Sequence, residues 1–97
     1  MIEVEIHPQA ETEYEIALGW YRERSPQAAE RFERAFDEGI EQMRSRPTMF
    51  PFCDPIHRFV LLRRFPFSLV YRLDGESARV VAVVHSKRRQ GYWSGRI

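Results

Sequence analysis

Three apolar runs separated by turn signals occupy residues 58–85 of the chain. The runs are Phe59–Leu62, Phe67–Leu73 and Val80–Val84, and their Val, Leu, Phe and Tyr content favours strands. Pro66 precedes the second run and has no N–H for a sheet hydrogen bond, so it suits a strand end or turn. Asp74-Gly75 follows that run and is a typical hairpin signal. The pattern therefore predicts an antiparallel three-stranded meander.

Strict alternation along these strands places apolar side chains on both faces of the sheet. In the second strand Phe67, Leu69, Tyr71 and Leu73 share one face, opposite Ser68, Val70 and Arg72. In the third strand Val80, Ala82 and Val84 share one face, opposite Val81, Val83 and His85. A sheet with one solvated face would alternate more cleanly between apolar and polar residues. The second face is therefore expected to be covered, either by the protein's own elements or by another chain.

In the N-terminal half, apolar residues recur first at every second position, as in a strand, and then at helical spacing. Ile2, Val4 and Ile6 alternate with glutamates and predict a short strand that ends at His7-Pro8. Residues 9–24 and a second segment reaching about Arg46 each carry one apolar stripe at helical spacing. Ser25 is expected to cap the second helix, with Pro26 as its first residue. The two stripes comprise Ala10, Tyr14, Ala17, Leu18 and Tyr21, and then Ala29, Phe32, Phe36, Ile40 and Met43.

These elements predict one α+β domain over residues 1–97, in the order strand, two-helix hairpin and three-stranded antiparallel meander. The first strand is expected to join the meander, which gives a four-stranded sheet with the helices on one face. Residues 47–57 contain three prolines and predict a loop that crosses to the sheet, anchored by burial of Phe50 and Phe52.

Composition narrows the class of protein. The single cysteine, Cys53, excludes an internal disulfide framework and a multi-cysteine metal site, and the three histidines do not lie at ligand spacing. We therefore expect no metal and no cofactor. The chain has neither an apolar run long enough for a membrane span nor a recognisable signal peptide, which favours a cytoplasmic protein.

The net charge of +1 hides a strong asymmetry. Residues 1–49 hold eleven acidic residues against six arginines, whereas residues 50–97 hold three acidic residues against eight arginines and one lysine. The C-terminal half is thus basic, with a net charge of +6, and the N-terminal half is acidic, with a net charge of −5. A basic surface suggests an acidic partner, either nucleic acid or protein, unless its charges are merely solvated.

A set of basic and aromatic residues in this half is the strongest candidate site. In the predicted meander the third strand ends where the second begins, so these residues could converge at one rim of the sheet. Such a rim could bind phosphates, with an aromatic ring stacking on a base, or it could bind acidic side chains of a partner protein. The candidate target- or partner-binding residues are Arg63, Arg64, Arg72, Lys87, Arg88, Arg89, Tyr92 and Trp93, with His85 beside them.

Motifs along nearly the whole chain resemble the RelE/ParE superfamily of bacterial toxin–antitoxin modules. The most specific are Arg63–Arg72, which reads RRFPFSLVYR, and His85-x-x-Arg88-x-x-Gly91-Tyr92-Trp93. Shorter matches are Pro8-x-Ala10, Trp20-Tyr21, Ala29-x-x-Phe32 and Pro47-x-x-Phe50-Pro51. The resemblance implies the fold derived above. It also implies a cognate antitoxin that wraps the toxin in a hetero-oligomer, which would cover the second sheet face.

The superfamily has two main branches with different activities. One branch resembles ribonucleases that cut messenger RNA on the ribosome, for which Arg64, His85 and Arg88 are the candidate catalytic residues here. In that branch an arginine commonly stands where this chain has Ser68, and several lysines are typical where this chain has only Lys87. The phenylalanine–proline turn and the Gly-Tyr-Trp ending resemble the ParE branch, which implies inhibition of DNA gyrase without a catalytic site.

A third possibility is a plain basic nucleic-acid-binding module, although the chain has no recognition-helix signature. If the predicted rim is the functional surface, toxicity depends on the C-terminal segment after His85, which contains Arg88, Tyr92 and Trp93.

Overall fold

The computed structural model describes residues 2–97 and confirms the predicted order of elements. Strand β1 spans Glu3–Ile6, helix α1 Pro8–Arg24 and helix α2 Pro26–Ser45. The meander follows as β2 (Arg58–Leu61), β3 (Phe67–Asp74) and β4 (Ser77–His85). The α+β class is therefore confirmed. Within residues 2–97, no helix has the length and apolar character needed to cross a bilayer.

The four strands form one mixed sheet in the order β1-β4-β3-β2. The meander is antiparallel, and β1 joins its β4 edge in parallel, with Ile6 opposite Val80. Helices α1 and α2 pack against each other, α1 against β4 and α2 against β1 and β2. The prediction that the first strand joins the meander in a four-stranded sheet is confirmed, and the structure places this strand beside β4.

Local capping explains where the helices begin. His7 precedes α1, and its Nδ1 accepts a hydrogen bond of 3.0 Å from the Gln9 N–H, with Pro8 as the first helical residue. Ser25 separates α1 from α2, and its Oγ accepts a hydrogen bond of 3.2 Å from the Ala28 N–H. This is the predicted cap, and it satisfies one of the N–H groups that a helix start leaves without a partner.

Aromatic side chains fill the space between the helices and the sheet. Phe32 is fully buried, and its ring lies 5.2 Å from the Tyr21 ring and 5.4 Å from the Phe67 ring. Gly39 lets α2 approach the sheet closely, because a Cβ there would lie 2.9 Å from a side-chain carbon of Leu62 and 3.1 Å from one of Leu69. The helix–sheet packing thus depends on large aromatic rings and on the absence of a side chain at Gly39.

A β-bulge overturns the strict alternation predicted for β4. Val70 pairs with Ala82 and Tyr71 with Val80, so Val81 is an extra residue in the ladder. The faces therefore change partway along the strand. Val83 packs in the core under the helices, while Val81, Ala82 and Val84 belong to the cluster on the second face.

The second face is covered by the protein's own C-terminal segment, residues 86–97. The Trp93 side chain is only 2% exposed and packs with Val70, Ala82 and Val84. The prediction that the protein's own elements cover the second face is therefore confirmed, and another chain is not needed to cover it. The predicted position of Trp93 on the exposed rim is wrong, because burial of its large apolar surface holds it on the sheet.

The loop from residue 46 to residue 57 is held differently from the prediction. Phe50 is half-buried as expected, but Phe52 is 55% exposed, with the Arg58 guanidinium 4.0 Å above its ring. The loop is instead fixed by the Tyr71 hydroxyl, which donates to the Pro47 carbonyl oxygen at 2.6 Å, and by His57, which is 1% exposed.

Candidate functional site

The predicted rim exists at the end of the sheet where β3 begins and β4 ends. Phe67 pairs with His85, and the Ser86 N–H donates a 2.8 Å hydrogen bond to the Pro66 carbonyl oxygen. The β2–β3 turn, residues 62–66, therefore meets the start of the C-terminal segment. Arg63 and Arg64 lie in this turn, and Arg64 has a left-handed backbone conformation with φ of 68°.

At this rim the basic residues are divided between two concave surfaces. Arg63 and Arg64 line a surface between the turn and α2, which we call the α2 depression. His85 and Arg88 line a surface between α1 and the end of β4, which we call the α1 groove. The turn and the C-terminal segment converge as predicted, but their side chains contribute to opposite sides of the rim.

The α1 groove has a volume of about 460 Å³ and largely apolar walls. Ile16 and Trp20 stand one helical turn apart on its α1 side and are 69% and 53% exposed. The Arg24 guanidinium lies 3.8 Å above the Trp20 ring, which is a cation–π distance. Exposed apolar residues beside a groove with a basic end form a surface suited to an amphipathic partner.

His85 stands at the basic end of this groove with one ring nitrogen already engaged. Its Nδ1 accepts a hydrogen bond of 3.0 Å from the Lys87 N–H, and its ring lies 5.0 Å from the Phe67 ring in a T-shaped arrangement. A neutral His85 that accepts at Nδ1 carries its proton on Nε2. In that tautomer Nε2 can donate a hydrogen bond to a bound group, while Nδ1 is engaged by the Lys87 N–H.

The other predicted residues of the C-terminal segment have distinct environments. The exposed Arg88 guanidinium lies 4.0 Å above the half-buried Tyr92 ring, and Lys87 and Arg89 are exposed in the turn after β4. Arg72 lies on the second face, where its guanidinium donates to the main-chain oxygens of residues 96 and 97. Arg72 therefore holds the C-terminal segment and is half-buried.

A polar network that the sequence analysis missed closes the open edge of β4. Because β1 ends opposite Val80, the following part of β4 has no neighbouring strand on that side. The Val83 N–H donates to Glu13 Oε1 at 2.9 Å, and Arg96 donates to the Val81 carbonyl oxygen at 2.9 Å. Side chains thus supply the hydrogen bonds that a longer β1 would supply.

Glu13 and Arg96 also pair directly, with an N–O distance of 2.9 Å and side chains only 15% and 12% exposed. The Tyr92 hydroxyl donates to the other Glu13 oxygen at 2.8 Å. Burial, followed by the neighbouring Glu13 carboxylate, raises the pKa of Tyr92 well above its usual range. No local motif signals this network, because its members lie up to 83 residues apart.

A second missed group links the loop to the C-terminal segment. The Asp54 carboxylate accepts from the His57 ring nitrogen Nδ1 at 2.9 Å and from the Trp93 indole N–H at 3.4 Å. Burial opposes ionisation of Asp54, but hydrogen bonds from the Ile56 and His57 N–H groups and from the His57 ring outweigh it, so its pKa is lowered. The group therefore fixes Trp93 on the sheet.

Together, the fold and this surface define a class of protein: a small α+β domain with a helical hairpin on one face of a four-stranded sheet and a basic rim at one end. The family model described as the ParE toxin of the type II toxin–antitoxin system parDE matches residues 4–90. The chain therefore belongs to the ParE toxin family, within the superfamily that its motifs resemble.

A solved structure of the chromosomal ParDE toxin–antitoxin system from P. aeruginosa has a similar fold. The match has a TM-score of 0.65 and 19% sequence identity, and it covers 88% of this chain and 96% of that chain. At this identity the likeness establishes the fold alone. No curated protein matches the chain significantly.

Proposed function

We propose that this toxin inhibits DNA gyrase in the cytoplasm and is neutralised by a cognate antitoxin. The observation that carries the proposal is the family match over residues 4–90, which favours the activity of the ParE branch over that of the ribonuclease branch. In that branch the toxin binds its target and carries out no chemistry of its own.

The positions of the nuclease candidates support a binding role over catalysis. Arg64 lines the α2 depression, whereas His85 and Arg88 line the α1 groove, so the three residues share no one concave surface. The His85 Nδ1 also already accepts a hydrogen bond from the Lys87 N–H. A ribonuclease needs its acid, its base and its phosphate-stabilising groups around one substrate, and these three residues do not surround a common surface.

The exposed cations that follow β4 are the proposed contacts to the target. Arg88 lines the α1 groove and Lys87 and Arg89 are exposed next to it in the chain, whereas Arg63 and Arg64 lie across the rim in the α2 depression. Guanidinium groups form strong hydrogen bonds with carboxylates and phosphates, both of which a gyrase–DNA complex presents. Tyr92 contributes by supporting the Arg88 guanidinium, whereas Trp93 contributes only to the fold.

The test is a gyrase supercoiling and DNA-cleavage assay with the purified protein, run beside cleavage of ribosome-bound messenger RNA. We expect loss of supercoiling or trapped gyrase–DNA breaks, intact message, and relief of both gyrase effects when the protein encoded by the adjacent gene is added. Cut message with unaffected gyrase would overturn the proposal and assign Arg64, His85 and Arg88 to a nuclease site.

The contribution of the rim is tested by Arg88→Gln, with Arg22→Gln as the matched control. Both arginines are exposed, but Arg22 lies on α1 and lines neither surface at the rim. Loss of one charge-assisted hydrogen bond is worth about 1.5–3 kcal/mol, so Arg88→Gln should raise the inhibitory concentration by about tenfold or more. Equal effects of the two substitutions would show that Arg88 makes no special contact.

A further inference from the structure

Four arginines from two separate elements meet at the α2 depression. Arg31 and Arg34 stand about one helical turn apart on the exposed face of α2, and Arg63 and Arg64 face them from the β2–β3 turn. The depression has a volume of about 420 Å³. Its lining also includes the apolar residues Ala28, Ala35 and Phe65 and one acidic residue, Glu38.

The four arginines of this depression form no close ion pair within the described part of the chain. Among residues 2–97, no carboxylate oxygen lies within 4.0 Å of the guanidinium groups of Arg31, Arg34, Arg63 or Arg64. The arrangement also places Arg64 at a φ of 68°, a conformation that costs energy for a residue with a side chain. Like charges held together in a strained turn are a feature that folding alone does not require.

We propose that the α2 depression binds an acidic segment of a partner protein, through carboxylates held by these four arginines. Planar guanidinium groups match carboxylates with two parallel hydrogen bonds, and the apolar floor suits the stems of glutamate side chains. That the partner is the antitoxin rests on the proposed function. The binding chemistry itself rests only on the depression.

The surroundings of the depression favour a peptide over double-stranded nucleic acid. The exposed face of α2 carries five acidic residues around the two arginines. A duplex that contacted the arginines would bring a continuous row of phosphates towards these carboxylates, whereas a single peptide strand can place its few carboxylates between α2 and the turn. The five acidic residues are Glu30, Glu33, Asp37, Glu38 and Glu41.

The test is a binding titration of the full chain with a fluorescent peptide of alternating glutamate and aspartate, at several salt concentrations. The double variant Arg31→Gln/Arg34→Gln is compared with Arg22→Gln/Arg46→Gln, which removes two exposed arginines away from the depression. We expect the first pair to weaken binding by about tenfold and to reduce its salt dependence, because two exposed ion pairs are lost. The control pair should change affinity by less than about twofold.

Absence of peptide binding by the wild-type chain at low salt would overturn the proposal, as would equal losses in the two double variants. A short DNA duplex that displaces the peptide and loses affinity in Arg31→Gln/Arg34→Gln would also overturn it and assign the depression to nucleic acid. The protein from the adjacent gene is titrated separately. If it fails to bind while the peptide binds as expected, the proposed antitoxin is wrong and the acidic-segment site stands.

Discussion

Replacing Trp93 with alanine tests whether the C-terminal segment is part of the folded core. The Trp93 side chain is 2% exposed and packs against valine and alanine side chains on the second sheet face. Truncating a buried tryptophan to alanine costs about 3–5 kcal/mol. Since a domain of this size is stable by only about 5–15 kcal/mol in total, the variant should lose a large fraction of its stability.

The size of the effect depends on whether residues 86–97 unfold with the rest of the chain. Trp93 is tied to the loop by its hydrogen bond to Asp54, and Arg96 is tied to α1 and β4 through Glu13 and Val81. These contacts reach three different elements, so we expect one cooperative transition. A segment that opened locally would instead limit the loss to its own small opening free energy.

The assay is equilibrium urea unfolding followed by circular dichroism, with Trp20→Ala as the matched control. Trp20 is the other tryptophan and is 53% exposed, so its truncation should cost less than about 1 kcal/mol. Trp93→Phe should lie between the two, because it keeps most of the apolar contact and loses the indole hydrogen bond. A Trp93→Ala variant as stable as Trp20→Ala would refute the assignment of Trp93 to the core.

The remaining predictions concern packing, a partly buried ion pair and acid stability, each measured by urea unfolding. Gly39→Leu should lower the free energy of unfolding by at least about 1–3 kcal/mol through overpacking. Gly19→Ala, where a Cβ meets nothing within 4 Å, should instead raise it by about 0.5–1 kcal/mol. A stabilised Gly39→Leu and a destabilised Gly19→Ala would contradict the described packing. A double-mutant cycle of Glu13→Gln and Arg96→Gln should give a coupling of about 1–2 kcal/mol, and a value near zero would show that the pair does not form. Because the pKa of Asp54 is lowered on folding, its ionised form stabilises the protein above about pH 4, and this stability is lost as the pH falls through the folded-state pKa. The free energy of unfolding that Asp54→Asn loses relative to wild type should therefore shrink on acidification. A loss that stays constant with pH would refute this.

The buried position of Trp93 also changes how the C-terminal segment should be tested. Truncation after His85 would remove Trp93 and Arg96 together, so loss of toxicity in that variant could result from unfolding. Substitution of exposed residues such as Arg88 leaves the sheet face covered. The expectation that the segment contributes to toxicity is therefore tested by point substitutions whose unfolding curves match the wild type.

The elements were predictable because each one follows from local sequence. Apolar spacing of three or four residues set α1 and α2, Ser25 supplied the cap between them, and Asp74-Gly75 set the hairpin of the last two strands. The bulge at Val81 was not predictable, because Val81, Ala82 and Val84 are all apolar and no polar residue marks the change of face. The alternation of apolar and polar residues shows which face a residue lies on only when the two faces of the sheet differ in polarity.

The sequence predicted at which end of the sheet the candidate site lies, but not how the side chains are arranged there. Meander topology brings the β2–β3 turn to the end of β4, and the basic residues of both segments were expected there. Which side of the rim each side chain faces depends on helix packing. Arg31 and Arg34 of α2, which were not among the residues singled out from the sequence, therefore join Arg63 and Arg64. The two surfaces therefore differ in chemistry. The α2 depression is lined by four arginines around a small apolar floor, whereas the α1 groove is lined mainly by apolar side chains and is basic at one end. Under the two proposals, the cations that follow β4 contact the target and the α2 depression binds the antitoxin, and the two surfaces differ enough in chemistry to select different partners.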